Sequence, residues 1–222
     1  MSSLIFFGPC SYYTKRYLYL CGMEEIVSKA DRTKQFIIET TANIFNKKGY
    51  AGTSMSDLTG ATGLTKGAIY GNFENKEDVA LAVFDYNHAK IQSEVRKRMA
   101  AATTFRDKLM VYANVYDHYN VRTFPDGGCP ILNTATEADD TNGLLKNKAA
   151  KAVIKWQKNI QELVKSGIAA GEFKPDADTA QLAAAIVALI EGGIMMCRVT
   201  DDRAPLHRII KTIAMLVDQI AV

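Results

Sequence analysis

The sequence is poor in the residues that build metal centres and disulfide frameworks: three histidines and four cysteines in 222 residues, with Cys10, Cys21, Cys129 and Cys197 far apart. No C-x-x-C pair occurs and no histidines cluster beside a cysteine, so no metal, no cofactor and no disulfide scaffold is expected, and a reducing cytoplasm fits best. Charge of one sign is lacking too. The 27 Lys and Arg against 24 Asp and Glu leave a formal charge of +3 and a pI near 8.6, too little to announce a nucleic-acid partner by itself. The apolar stretch Leu4-Ile5-Phe6-Phe7 is broken by Gly8 and Pro9 and precedes Lys15 and Arg16 instead of following them, which is not the order of an export signal. No window offers about 18 uncharged apolar residues; the nearest, Leu182 to Cys197, is interrupted by Glu191 and Gly192-Gly193 and reads as a buried helix, with no membrane partner. Period-two alternation, the mark of strands, is absent throughout.

What the chain does have is apolar content, 48%, enough for a sizeable core, and helical periodicity from Asp31 onward. Residues 1–27 show no period and are left unassigned; Met23 offers a second possible start. Ile37, Thr41, Ile44 and Phe45 share one helix face, Lys47 and Lys48 suit a last turn, and Gly49 supplies a stop. Thr53-Ser54 can cap a short second helix that Gly63 breaks, and Thr65 can cap a third. Asn75 with Asp78 starts a long fourth helix carrying Val79, Val83, Tyr86, Ile91, Val95 and Met99. Further helices are read at Phe105 to Arg122, Ile131 to Asp139, Gly143 to Ala169, Asp178 to Arg198 and Leu206 to Ile220, each bounded by Gly, Pro, Asp or Thr. The fold class is all-α, with about nine helices.

The short second and third helices meet across Gly63 as a helix-turn-helix requires, with Met55, Leu58, Leu64, Ile69 and Phe73 available as anchors. The second of the pair would lead into the major groove with Thr65, Lys66, Gly67 and Ala68, which combine a hydroxyl, a charge and small size. Tyr70 and Asn72 can reach flanking phosphates; Thr53, Ser54 and Lys76 offer more phosphate contacts. Between Ser28 and Lys76, basic residues (Lys29, Arg32, Lys34, Lys47, Lys48, Lys66, Lys76) outnumber acidic ones (Asp31, Glu39, Asp57, Glu74), which suits a phosphate-facing surface.

The spaced series Gly49-Tyr50, Thr53-Ser54, Asp57-Leu58, Gly63-Leu64-Thr65-Lys66-Gly67, Ile69-Tyr70, Phe73 and Lys76-Glu77 resembles the N-terminal signature of the TetR family of transcriptional regulators. Departures are Thr59 and Thr62, where the family often has Ala, and Asn72, where it often has an aromatic or His. The resemblance implies a helix-turn-helix DNA-binding domain over 28–76, joined by helix 4 to a helical ligand-binding and dimerisation domain over 77–222. It implies a homodimer on a palindromic double-stranded operator, a small-molecule effector, and no enzymatic activity.

The last two expected helices are apolar enough to need cover beyond one subunit. Leu182, Ile186, Leu189, Ile190 and Ile194, with Ile209, Ile213, Leu216 and Val217, are the candidate dimer interface. Phe105, Met110, Tyr112, Tyr116, Tyr119 and Trp156 are candidates for lining an effector pocket, although such aromatics are more often plain core. Cys129, just before Pro130 at a helix start, joins them: a helix N-terminus lowers a thiol pKa, so it could answer oxidants or electrophiles, against the commoner reading of a small buried cysteine. A Gly-Cys element at this place resembles one in some TetR-type regulators. His88, His118 and His207 stand near no nucleophile and read as surface or capping residues. The function read from the sequence is a DNA-binding regulator, a repressor released by a small molecule or a thiol-reactive signal. The alternative is a helical protein-interaction regulator without sequence-specific DNA binding; a small helical enzyme is disfavoured.

Overall fold

The computed structural model describes residues 28–117 and 125–222. Met23, Tyr119 and His118 lie outside them, and so does the end expected for helix 5. Among the described residues there are nine helices and no strand, only an isolated bridge between Phe173 and Ala221: α1 Lys29–Gly52, α2 Met55–Thr62, α3 Lys66–Tyr70, α4 Lys76–Ala101, α5 Phe105–Asn114, α6 Pro130–Ala138, α7 Gly143–Ala169, α8 Thr179–Thr200 and α9 Ala204–Gln219.

Local chemistry sets most helix starts. Ser28, Ser54, Thr65, Asn75, Thr104, Asn142 and Asp178 each sit just ahead of a helix with a side-chain oxygen accepting an otherwise unpaired backbone N–H. Helix 1, expected to stop at Gly49, runs on to Gly52 across a kink, and helix 5 also departs from its expected bounds. The latter closes at Asn114 and continues to Asp117 through shorter-range turns, Tyr116 N to Ala113 O and Asp117 N to Asn114 O. Arg98 on α4 donates to Asn114 O at 2.8 Å, placing a cation at that helix end.

Two apolar cores stack along α4. In the first, Ile37 and Phe45 of α1, Leu58 of α2, Ile69 of α3 and Phe73 close on Val79 and Val83, with Ala138 and Leu145 reaching in from α6 and α7. The second gathers Phe84, Ile91 and Val95 with α5 to α9. One helix therefore carries buried residues of both, which makes it a stiff lever between them. By length and a mean hydropathy of 1.9, α8 is long and apolar enough to cross a membrane. Its apolar character already has a use in the fold: Leu182, Ile186, Ile190 and Ile194 are buried between α7 and α9, each contributing roughly 1.5–3 kcal/mol by leaving water.

Candidate nucleic-acid interface

The helix-turn-helix is built from reciprocal caps. Ser54 Oγ accepts from Asp57 N at 3.1 Å while the Asp57 carboxylate accepts from Ser54 N at 2.9 Å, and Lys48 Nζ lies 2.6 Å from the same carboxylate. Lys48 and then Ser54 hold the Asp57 pKa down to about 2. At the turn Gly63 takes φ 68°, ψ 6°, the left-handed conformation that lets α2 stop and α3 set off at a wide angle. Thr62 has a role an alanine could not fill: its hydroxyl donates to Leu58 O at 2.7 Å and accepts from Leu64 N at 3.2 Å, fixing the turn from inside. Thr65 Oγ1 then accepts from Ala68 N at 3.1 Å. Ile69 and Phe73 are buried beneath, so Thr65, Lys66, Gly67 and Ala68 are left exposed together on the outer face. Tyr70 is half-buried, with Lys66 Nζ 5.8 Å from its ring centre.

Several expected phosphate contacts are committed elsewhere. Thr53 is fully buried and donates to Gly49 O at 2.6 Å. Lys76 donates to Tyr50 O and Thr53 O at 2.7 and 2.8 Å, its ammonium 4.3 Å from the Tyr50 ring centre. Asn72 folds its amide back onto Ala68 O at 2.9 Å, and the exposed Ser54 hydroxyl is held by Asp57. Thr53 and Lys76 thus brace the segment instead of reaching outward, because the carbonyls that end α1 need donors. Lys47 pairs with Asp126 at 3.1 Å and Lys48 with Asp57, which trims the basic excess read from the sequence. Lys66 and Lys34 remain exposed, the latter 4.8 Å from the Phe73 ring centre.

A polar latch joins this unit to the second core. Gly49 takes φ 71°, ψ −179°, a kink inside α1 open essentially to glycine, and a Cβ there would stand 2.4 Å from the Glu137 carboxylate. That carboxylate accepts from Tyr50 N and Ala51 N, both at 2.8 Å. Asn46 donates to Asp126 O and Gly128 O, and Asn133 donates to Asn46 O and Gly127 O. The sequence reading missed Glu137, Asn46 and Asn133. Each is an ordinary polar residue whose partner lies some eighty residues away, and only the sharp stop at Gly49 pointed to the place.

Of the expected effector residues, the structure brings Tyr112, Tyr116 and Trp156 together, with ring centres 6.3 and 6.2 Å from the indole. Met110 is buried core, and Phe105 packs beside Gly167 and Phe173, apart from the aromatic group. Tyr119 lies outside the described residues. The reading of Cys129 as an activated thiol is corrected. It does precede α6, with Pro130 first in the helix, yet it is 1% exposed; burial, then the neighbouring Glu191 carboxylate, push its pKa well up. Its Sγ donates to Glu191 Oε1 at 3.0 Å and lies 3.9 Å from Tyr116 Oη. Burial raises Glu191 itself from 4.5 to about 7, with the bond from Cys129 pulling the other way. His88 is half-buried beside Gln92, and His207 Nε2 lies 2.7 Å from Asp117 Oδ1.

Most of the expected dimer residues are spent inside the chain. Leu182, Ile186, Ile190, Ile194, Ile213 and Val217 are buried within the single chain, and Leu189, Ile209 and Leu216 are partly buried against the same core. The apolar surface left over is the opposite face of α8, where Ala188, Gly192, Met195 and Val199 recur at three- and four-residue steps, with Met215 of α9; Val199 is 76% and Met215 64% exposed.

Comparison with known proteins agrees with this architecture. The model of bacterial regulatory proteins of the tetR family matches residues 37–83, and that of the tetracyclin repressor-like C-terminal domain matches residues 106–213. A TetR-family transcriptional regulator from Cytophaga hutchinsonii superposes with a TM-score of 0.85 at 49% identity, covering 88% of this chain and 98% of that one. A TetR transcriptional regulator from Chloroflexus aurantiacus gives 0.82 at 38% identity, over 87% and 98%. An uncharacterised helix-turn-helix regulator of the lacX 3′ region of Lactococcus lactis is 30% identical over 179 residues, 77% of this chain and 85% of the relative. With a capped helix-turn-helix below, a continuous α4 and a helical domain above, the chain belongs to the TetR family of DNA-binding transcriptional regulators.

Proposed function

We propose that this regulator represses transcription as a homodimer on a palindromic operator and is released by a small molecule bound in the helical domain over residues 77–222. It works in the cytoplasm and has no enzymatic activity of its own. The observation that carries the reading is the exposed group Thr65, Lys66, Gly67 and Ala68, held outward by the buried anchors Leu58, Ile69 and Phe73. A short, small-residued helix of this kind can bring its backbone close to base edges while Lys66 and Tyr70 meet phosphates. The DNA-binding unit of residues 28–76 is passive in the response. Displacement of α4 and of the Glu137 latch resets the spacing of two such units, provided the effector favours one spacing over the other.

Reading two half-sites one DNA turn apart takes two units. The free face of α8 and α9 is where a second copy would sit, doubling the 24.4 kDa mass in solution. The test is a gel shift of the full chain on the DNA upstream of its own gene, repeated across a salt series. A sequence-specific shift that weakens steeply with salt is expected. A chain that shifts no fragment, or every fragment alike, would be an interaction protein without operator recognition, and the proposal would fall.

A further inference from the structure

Beside the aromatic group, α4 and α7 lean apart and leave a groove of about 220 Å³. His88, Gln92 and Arg96 contribute from α4 at four-residue steps, and Lys155, Trp156 and Asn159 from α7. Its charge is one-sided. Arg96 and Lys155 are exposed and have no ion-pair partner among the described residues, and no carboxylate lines the groove. The neighbouring acids on α4 are both paired, Asp85 with Lys148 at 2.6 Å and Glu94 with Arg98 at 2.8 Å. His88 is kept toward its neutral form, by burial first and by Lys155 and Lys148 next, against the pull of Asp85.

One group in the groove is built for a partner it does not have. Trp156 is 5% exposed, its ring held by Tyr112 and Tyr116, and its Nε1 is buried with no acceptor. An indole N–H can only donate, and leaving such a donor buried and unpaired is costly. Asn159, the polar side chain next along the helix face, is bonded to Tyr112. The groove thus offers two free cations, one orphaned donor and an aromatic surface, in a space somewhat larger than the roughly 150 Å³ cavity that accepts benzene.

We infer that the groove between α4 and α7 binds a small organic carboxylate, its anionic head between Arg96 and Lys155 and its body against Trp156, with one acceptor taken up by Trp156 Nε1. An Arg fork suits a carboxylate in bidentate geometry. The anion would bridge the helix that carries the DNA-binding unit to the body of the second core. The assignment rests on the ligand-responsive reading above and adds to it the chemical class of the effector.

Trp156 is the single tryptophan of the chain, so its fluorescence reports the groove directly, with no DNA present. Benzoate and hexanoate are titrated into the full-length protein beside benzamide and benzylamine. A saturable fluorescence change is expected with the carboxylates, at least about tenfold tighter than with the amide or the amine. The double variant R96Q/K155Q, altered only at exposed positions, should lose that preference while keeping its helical circular dichroism. No saturable change with either carboxylate, equal or better binding of amide or amine, or an unaltered preference in the folded double variant would overturn the inference. The same compounds are then added to the operator complex. Carboxylates that bind the groove without releasing DNA support the anion site and defeat the effector reading. Release by the amine with no charge-selective fluorescence change leaves the repressor reading standing and overturns the anion site.

Discussion

A lysine serves phosphate only while its ammonium is free, and Lys66 and Lys76 differ in this respect. Lys66 is exposed at the head of α3, whereas Lys76 is spent on two backbone carbonyls. Lys66→Ala should weaken binding to all DNA sequences alike and reduce the slope of log affinity against log salt by about one. Lys76→Ala should instead lower stability by about 1–3 kcal/mol in denaturant titration, since it strips donors from part-buried acceptors. A residue off the DNA face controls a pH response. With the Glu191 pKa raised from 4.5 to about 7, the folded chain holds a proton there that the unfolded chain has lost. The contribution of Glu191 to stability is therefore fully present below pH 4.5 and is lost as pH rises through about 7, by a few kcal/mol. Glu191→Gln should flatten that dependence in melts recorded between pH 5 and 8. Its partner Cys129 is the residue whose surroundings the sequence misrepresented. Position at a helix start favours the thiolate, but complete burial beside a carboxylate outweighs it. Iodoacetamide should label Cys129 slowly in the folded protein and fully in urea, as peptide mapping would reveal.

At the scale of elements, start signals were legible because they are local: Ser54, Thr65 and Asn75 each bond a backbone N–H three residues on. The ends of α6 to α9 fall within two residues of those read from the sequence. The end of α5 was not legible, since Tyr116 is packed against Trp156 and Asn114 O is taken by Arg98, contacts made from other helices. The α1 kink belongs to this scale as well. Gly49→Ala would force a side chain into a φ that L-residues avoid and into the Glu137 carboxylate, costing about 1–3 kcal/mol. Glu137→Ala frees the same end of α1 without strain, leaving Tyr50 N and Ala51 N without their acceptor. Both variants should weaken operator binding in gel shifts even though neither residue faces DNA.

For the whole molecule, the question on α8 is which apolar residues face inward and which remain outside. Ile190 is fully buried, so Ile190→Ala should cost about 2–5 kcal/mol of stability. Val199, 76% exposed, should tolerate Val199→Glu in the monomer and yet lose the dimer by light scattering, and with it the operator shift. The opposite pattern would return the interface to the residues first read from the sequence. By itself the sequence determined the helical class, most of the caps and the turn at Gly63, because each depends on residues a few positions apart. Only the tertiary structure decided which lysines are free, which face of α8 is left uncovered, and that Cys129 is silenced while Trp156 keeps an unpaired donor. Those outcomes depend on what a distant helix places against the side chain, through burial and hydrogen-bond competition that no local pattern encodes.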